Sequence, residues 1–496
     1  MNTLPRRRFL ATTAGAFAGA GHFNFLAGLP RVSAAEANVA PDMVRFRPEM
    51  EPLVKLLSET PRERLLEEVA AAIKKGVTYN QLLTAVFLAG VRDVQPRPVG
   101  FKFHAVLVIN SAHLAAQAAR DDDRWLPLFW AMDQYKSSQA ANVKEGNWHL
   151  PPVEESKVPP PHKARAAFIE AMEAWDAEAA DAAIAGLGRC TGANDLFEIF
   201  ARFGARDYRA IGHKAIYVAN SYRALNTIGW QHAEPVLRSL TYALMAHEGE
   251  NPAKRDAAED HPGRRNKELA AKIRGEWLDG KTDDGAVTEM LATLRQANTD
   301  AAADKVVELL NKGIAPQSVW DALFAGANEL LMRAPGIRSL HAVTTTNALH
   351  FAWKTSASDE LRRWLLLQNA SFLPTFRGEA GSGVEIDKFE PAAAGGLDEI
   401  FASVGKDNNA AAAKALAHLK STGDAAAFHD MARRLIYLKG TDSHDYKFSS
   451  AALEDYSHIS PQWRDRFLAA SVFWFKGSSA PDSSLVQRTR AALGAA

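Results

Sequence analysis

Four histidines in this sequence stand where an imidazole needs a reason to be. His104 lies in Phe103-His104-Ala105-Val106-Leu107, His341 in Leu340-His341-Ala342-Val343, and His213 opens the run Gly212-His213-Lys214-Ala215-Ile216. A polar ring in such apolar surroundings is costly unless it finds a partner. His444 belongs to Asp442-Ser443-His444-Asp445-Tyr446-Lys447, three residues before Lys447, and shares a face with it if the segment is helical. Two cations side by side in a core repel, and lysine is the side chain that readily gives up its proton on burial. A neutral lysine amine can take up carbon dioxide as a carbamate, which turns it into a metal-binding carboxylate. Taken singly, each histidine reads as a core residue satisfied by a hydrogen bond, and His444 with Lys447 as a surface pair near a turn. Taken together they carry more weight.

Of the fifteen histidines only His22 precedes residue 36, so spacing must act as a filter. Residues nine apart on a straight helix differ by about 900°, two and a half turns. His104 and His113 therefore face opposite ways, as do His341 and His350. At most one of each pair can look into a common site.

In their order along the chain these segments resemble the questin oxidase-like family, which includes a fungal dioxygenase that cleaves an anthraquinone ring. The resemblance rests on His104 in an early apolar helix and on His213 in its Gly-His segment. It continues with Leu340-His341 followed by Thr344 and Ala348-Leu349, and ends with Asp442, His444 and Lys447. Asn347 stands where the family pattern has a second histidine in the third segment. The resemblance implies an iron(II) centre held by His104, His213, His341, His444 and a carboxylated Lys447, with dioxygen as cosubstrate. Such a donor set suits a borderline divalent metal and leaves one position open. Thr344, Asp442 and Asp445 are the expected partners that orient the imidazoles. Phe103, Trp130, Tyr217 and Tyr446 are candidate walls of an apolar pocket for a flat substrate. Two other readings stay open: a hydrolase in which zinc occupies the same ligands, and a non-catalytic helical binding protein whose histidines are structural. A metal centre requires the four imidazole nitrogens to converge to within about 4 Å, given ligand distances near 2 Å.

Other chemistries find less support. There is no His-Glu-x-x-His zinc-protease motif, no Gly-x-Ser-x-Gly nucleophile elbow and no Walker-type phosphate loop. Cys190 is the single cysteine, so no internal disulfide can form. Asp133 and Lys136, one helical turn apart, read as an ion pair.

The elements that must position these residues are helical. Apolar positions recur at helical spacing over roughly 78–92, 104–118, 163–186, 212–226, 234–247, 285–311, 316–333, 341–354, 359–370, 408–420, 424–437 and 461–473. Thr60-Pro61-Arg62-Glu63 has the pattern of a capping box opening a helix that Gly76 ends. The fold expected is all-α, one large helical domain over 36–496 with long irregular loops at 151–161, 249–266 and 376–397. The first of these, rich in proline, is a candidate hinge.

The N-terminus carries a different message. Arg6-Arg7-Arg8-Phe9-Leu10 precedes a weakly apolar stretch from Ala11 to Leu29 and the small residues Ser33-Ala34-Ala35. That is the layout of a twin-arginine export signal over 1–35, implying passage through the twin-arginine translocase to the periplasm. This route carries folded cargo, often with a cofactor already in place. The whole chain has 58 basic and 58 acidic side chains, and removing the four arginines of 1–35 leaves 54 against 58, a net charge near −4. No basic face for nucleic acid is implied. Beyond the signal no stretch reaches the ~18 apolar residues of a membrane span. The expected partner is a small organic substrate, aromatic or quinone-like.

Overall fold

Most of the described residues fold as helices joined by turns and a few longer loops. The computed structural model describes residues 42–378, 383–393 and 395–495, and the expected export signal over 1–35 lies outside them. Among the described residues there is no strand, only an isolated bridge between Lys281 and Ile314. The fold is all-α, and no helix among these residues is long and apolar enough to cross a membrane.

One helix, Ile337–Thr355, organises the rest. It packs against Arg209–Gly212 and His213–Ile228, against Pro316–Arg333 and Asp359–Arg377, and against Ser443–Asp455. With neighbours on every side it is buried from Ser339 to His350. Leu340, Val343, Ala348 and Leu349 supply the apolar contacts, each large one contributing about 1.5–3 kcal/mol. His341, Thr344, Thr345, Thr346 and Asn347 are equally buried, so this helix carries polar groups into the middle of the molecule. A second layer completes the surround: His104–Leu107 and Ile109–Gln117 pack on Ser443–Asp455 and on Leu126–Lys144.

Several boundaries differ from the periodicity. The segment 163–186 forms two helices, Pro161–Glu173 and Ala177–Gly188, because Trp175 takes a left-handed φ of 55° and the Asp176 side chain caps the second. The segment 285–311 likewise divides into Asp284–Gln296 and Thr299–Asn311, the latter capped by Asn298. Thr60 does not cap the helix Arg62–Lys74. Its backbone N–H is taken by Leu56 O at the end of Glu51–Glu59, which leaves it extended and facing the wrong helix. A complete capping box forms instead at Thr78 and Gln81. The expected loop 249–266 ends early, at the helix His261–Ala270. Residues 151–161 are extended, apart from one short turn at Glu155–Lys157, and Pro151 O accepts from the Arg238 guanidinium at 2.9 Å.

Candidate metal centre

Each of the four imidazoles is aimed from behind. His104 Nδ1 lies 2.7 Å from Phe101 O, His213 Nδ1 2.8 Å from Ala210 O, and His341 Nδ1 2.6 Å from Ile337 O. His444 Nδ1 is 2.5 Å from a carboxylate oxygen of Asp442. An oxygen acceptor at such a distance demands a proton on Nδ1, so each neutral ring presents a bare lone pair at Nε2.

Those lone pairs converge. His213 Nε2 is 2.9 Å from His104 Nε2 and 2.9 Å from His341 Nε2. One nitrogen from each of the four rings lies within 4.8 Å of all the others. With the protons committed to the carbonyls, neither 2.9 Å contact has a hydrogen to share. Facing lone pairs repel, and a cation between them converts repulsion into attraction. For metal–nitrogen distances of about 2.1 Å, ligands at right angles stand about 3 Å apart and opposed ligands about 4.2 Å. The short pairs match the first separation, and the 4.8 Å bound is looser than both the second and the roughly 4 Å expected of a metal centre from the sequence.

Lys447 shares this space. Its amine is buried and has no hydrogen-bond partner, and the same is true of His444 Nε2. Burial brings the lysine pKa down to about 7, with Asp442 pulling the other way. His104, His213 and His341 are held well below the usual imidazole range, by burial first and next by the nearness of Lys447. The site thus joins three imidazoles that resist protonation, the His444 ring, and an amine that loses its proton easily. Such a set fits a divalent cation and leaves unfilled valences without one.

The local backbone explains the aim. Phe101, Ala210 and Ile211 take left-handed φ of 45°, 57° and 44°, and Gly212 follows at 87°. Side-chain-bearing residues seldom adopt these angles, and each costs about 1–3 kcal/mol. Two of them, Phe101 and Ala210, supply the carbonyls that hold His104 and His213. Asp207 braces the second turn, accepting from the Arg209 N–H at 3.0 Å and from Lys214 Nζ at 3.0 and 2.9 Å. Gly212 has to be glycine: a Cβ there would stand 1.8 Å from Thr345 Oγ1. Gly100 lies against the His213 ring, where a Cβ would meet Cε1 at 3.1 Å. On the other side, Asp442 caps Ser443–Asp455 and accepts both the His444 N–H and its ring N–H, which hold its pKa down to about 2.

The four rings differ in exposure. His213 and His341 are buried, whereas His104 and His444 are partly exposed and Phe101 beside them is 78% exposed. His113 and His350 point elsewhere, as the nine-residue spacing requires: His113 Nδ1 meets Tyr79 Oη at 3.1 Å, and His350 packs on Trp320 and Phe324.

Of the expected orienting groups, Asp442 touches an imidazole. Thr344 instead donates back to Leu340 O at 3.4 Å, as a threonine inside a helix does. Asp445 closes the capping box of its own helix and pairs with Lys476 at 2.9 Å. The four aromatics form two packed pairs, Phe103 on Tyr217 and Trp130 on Tyr446, with centroids 4.9 and 4.1 Å apart. They serve the core. Asp133 and Lys136 do not pair with each other: Asp133 binds Arg62, and the lysine donates to the carbonyls of Leu57 and Ser58. The Cys190 thiol donates to Gly186 O at 3.3 Å. What spacing could not reveal are the carbonyls of Phe101, Ala210 and Ile337, since every residue has one. Gly100 and Gly212 were the only sequence marks of these turns. No known protein family, characterised protein or solved structure matches the chain.

Proposed function

We propose that this protein is an exported non-haem iron oxygenase acting on an organic substrate, its metal held by His104, His213, His341, His444 and a carboxylated Lys447. The observation that carries this reading is the convergence of four imidazole nitrogens, with the buried, partnerless Lys447 amine near enough to depress three of the rings. Four imidazoles and one carbamate oxygen would be more donors than zinc usually takes in a protein site and would suit iron(II). Iron(II) in such a site supplies electrons and a place for dioxygen.

The chain's own residues do the rest. The carbonyls of Phe101, Ala210 and Ile337 and the carboxylate of Asp442 hold each ring in one tautomer and one orientation. Burial keeps His104, His213 and His341 unprotonated. The neutral Lys447 amine would attack carbon dioxide, forming an N–C bond as a C=O π pair moves onto oxygen and the N–H proton passes to water, and the resulting carbamate anion would offset the charge of a bound cation. The exposed edges of His104 and His444 leave the way in for substrate. Residues 1–35 carry the folded protein through the twin-arginine translocase to the periplasm. Folding first is needed because the ligands lie between residues 104 and 447, and loading iron beforehand avoids copper and zinc, which bind nitrogen sites more tightly.

Metal analysis of protein purified without added metals tests the reading, together with electron paramagnetic resonance of the nitric oxide adduct as a stand-in for dioxygen. One iron per chain and an adduct are expected. One zinc and no adduct overturn the proposal in favour of a hydrolase using metal-activated water. No metal at all points to a helical binding protein.

A further inference from the structure

Away from the four histidines, a cavity of about 690 Å³ opens between Pro161–Glu173, Ala193–Gly204 and His261–Ala270. Its apolar walls are Ile169, Ile199, Phe203, Trp175 and Trp364, and six cationic side chains line it against three carboxylates. That excess of positive charge is local, in a chain whose basic and acidic residues balance. None of the candidate metal ligands lines it.

Arg206 is the residue that gives the cavity a chemistry. Its Nη1 donates to Met172 O at 2.9 Å, while Nε and Nη2 are buried without an acceptor. The nearest carboxylate, Asp207, is 3.6 Å away and already accepts from Lys214 and from the Arg209 backbone. The guanidinium lies 4.0 Å over the Trp175 ring and 5.3 Å from that of Phe203. Trp175 pays for this position with its left-handed φ of 55°, an unfavourable conformation for a large aromatic residue. Strain, cavity and unanswered donors thus meet at one place. A guanidinium with free donors matches a carboxylate or phosphate, and aromatic walls match a flat apolar body.

We infer that this cavity binds an organic oxyanion, a carboxylate or phosphate ester carried on one or two flat rings, with its charged head toward Arg206. None of the four histidines lines this cavity, although Asp207 links Arg206 to the turn that holds His213.

Isothermal titration calorimetry with 2-naphthoate, 1-naphthyl phosphate and the neutral 2-naphthalenemethanol tests this on the exported form of the chain. At least one anion is expected to bind saturably, one per chain, and the alcohol about tenfold more weakly or worse. The two anions together show which head group the site takes. Arg206→Gln should weaken the anion by about tenfold or more. Ile169→Glu puts a negative charge at a partly exposed wall position that the fold tolerates, and should weaken it similarly. If Arg206→Gln fails to fold by circular dichroism, Ile169→Glu decides. His213→Ala should leave the affinity unchanged, which separates this site from the proposed oxygenase centre. No anion binding at millimolar concentration, equal binding of the alcohol, or affinity indifferent to Ile169→Glu overturns the proposal.

Discussion

The helix Ile337–Thr355 carries two buried histidines, His341 near its start and His350 near its end, and burial pushes both well below the usual imidazole range. Around His350 donors mostly face acceptors, although Asp455 Oδ2 and the indole N–H groups of Trp320 and Trp353 have no partner. Asn347 donates to Glu454 at 2.9 Å and to Asp455 at 2.7 Å, and Arg223 binds Glu454 at 2.6 Å. Burial holds Asp455 well above the carboxylate range. His350 itself is boxed by Trp320, Phe324 and Trp353. Around His341 the opposite holds: acceptor faces acceptor, and an amine has no partner. Burial and depressed basicity are common to both ends and so do not mark function. What separates them is the crowding of four imidazole nitrogens, acceptor against acceptor, at the His341 end.

The sharpest way to break this comparison is metal content. His213→Ala or His341→Ala should lower bound metal by about tenfold or more, whereas His350→Ala and His458→Ala should leave it unchanged, as read by inductively coupled plasma mass spectrometry. Equal losses at both ends would erase the distinction. Acid titration is expected to show what the ends share. In metal-free protein His213, His341 and His350 stay neutral when folded but take up a proton near pH 6.5 when unfolded, so the unfolded state binds more protons below that pH. Stability should be full above about pH 6.5 and fall as pH drops, by about 1.4 kcal/mol per pH unit for each histidine. Replacing either His341 or His350 by Phe should remove the same share of the slope in urea melts.

Smaller effects probe the supports. Gly212→Ala combines a left-handed φ with the Thr345 collision and should cost about 3 kcal/mol, while Gly423→Ala, also left-handed but with open space around it, should cost about 1 kcal/mol. At the His350 end, Asn347→Leu leaves Asp455 without its donor and Glu454 with Arg223 alone, and should cost about 2 kcal/mol with metal content intact.

The helical class and the four imidazoles were legible because both rest on local patterns: apolar spacing for the helices, and polar rings set in apolar runs for the histidines. The nine-residue rule removed His113 and His350 for the same reason. Asn347, standing where the resembled family has a histidine, turns to Glu454 and Asp455 rather than to the cluster. The turn at Ala210 and Ile211 was not legible, since neither residue favours a left-handed φ and only Asp207, Lys214 and the neighbouring helix enforce it. Trp175 hid its break in the same way, and Thr60 lost its expected cap to a preceding helix that periodicity had not marked. Thr344 was placed correctly on its helix, but its hydroxyl found a carbonyl one turn back before it could reach a ring.

The clamps behind the rings also set how fast each imidazole proton can trade with solvent. His341 gives its Nδ1 proton to Ile337 O, part of a helix wedged among several others, so that proton should exchange for deuterium only when much of the molecule opens. His444 gives its own to Asp442, a partly exposed aspartate at a helix start, where fraying of a single turn is enough. The same cluster therefore has a slow wall and a fast door.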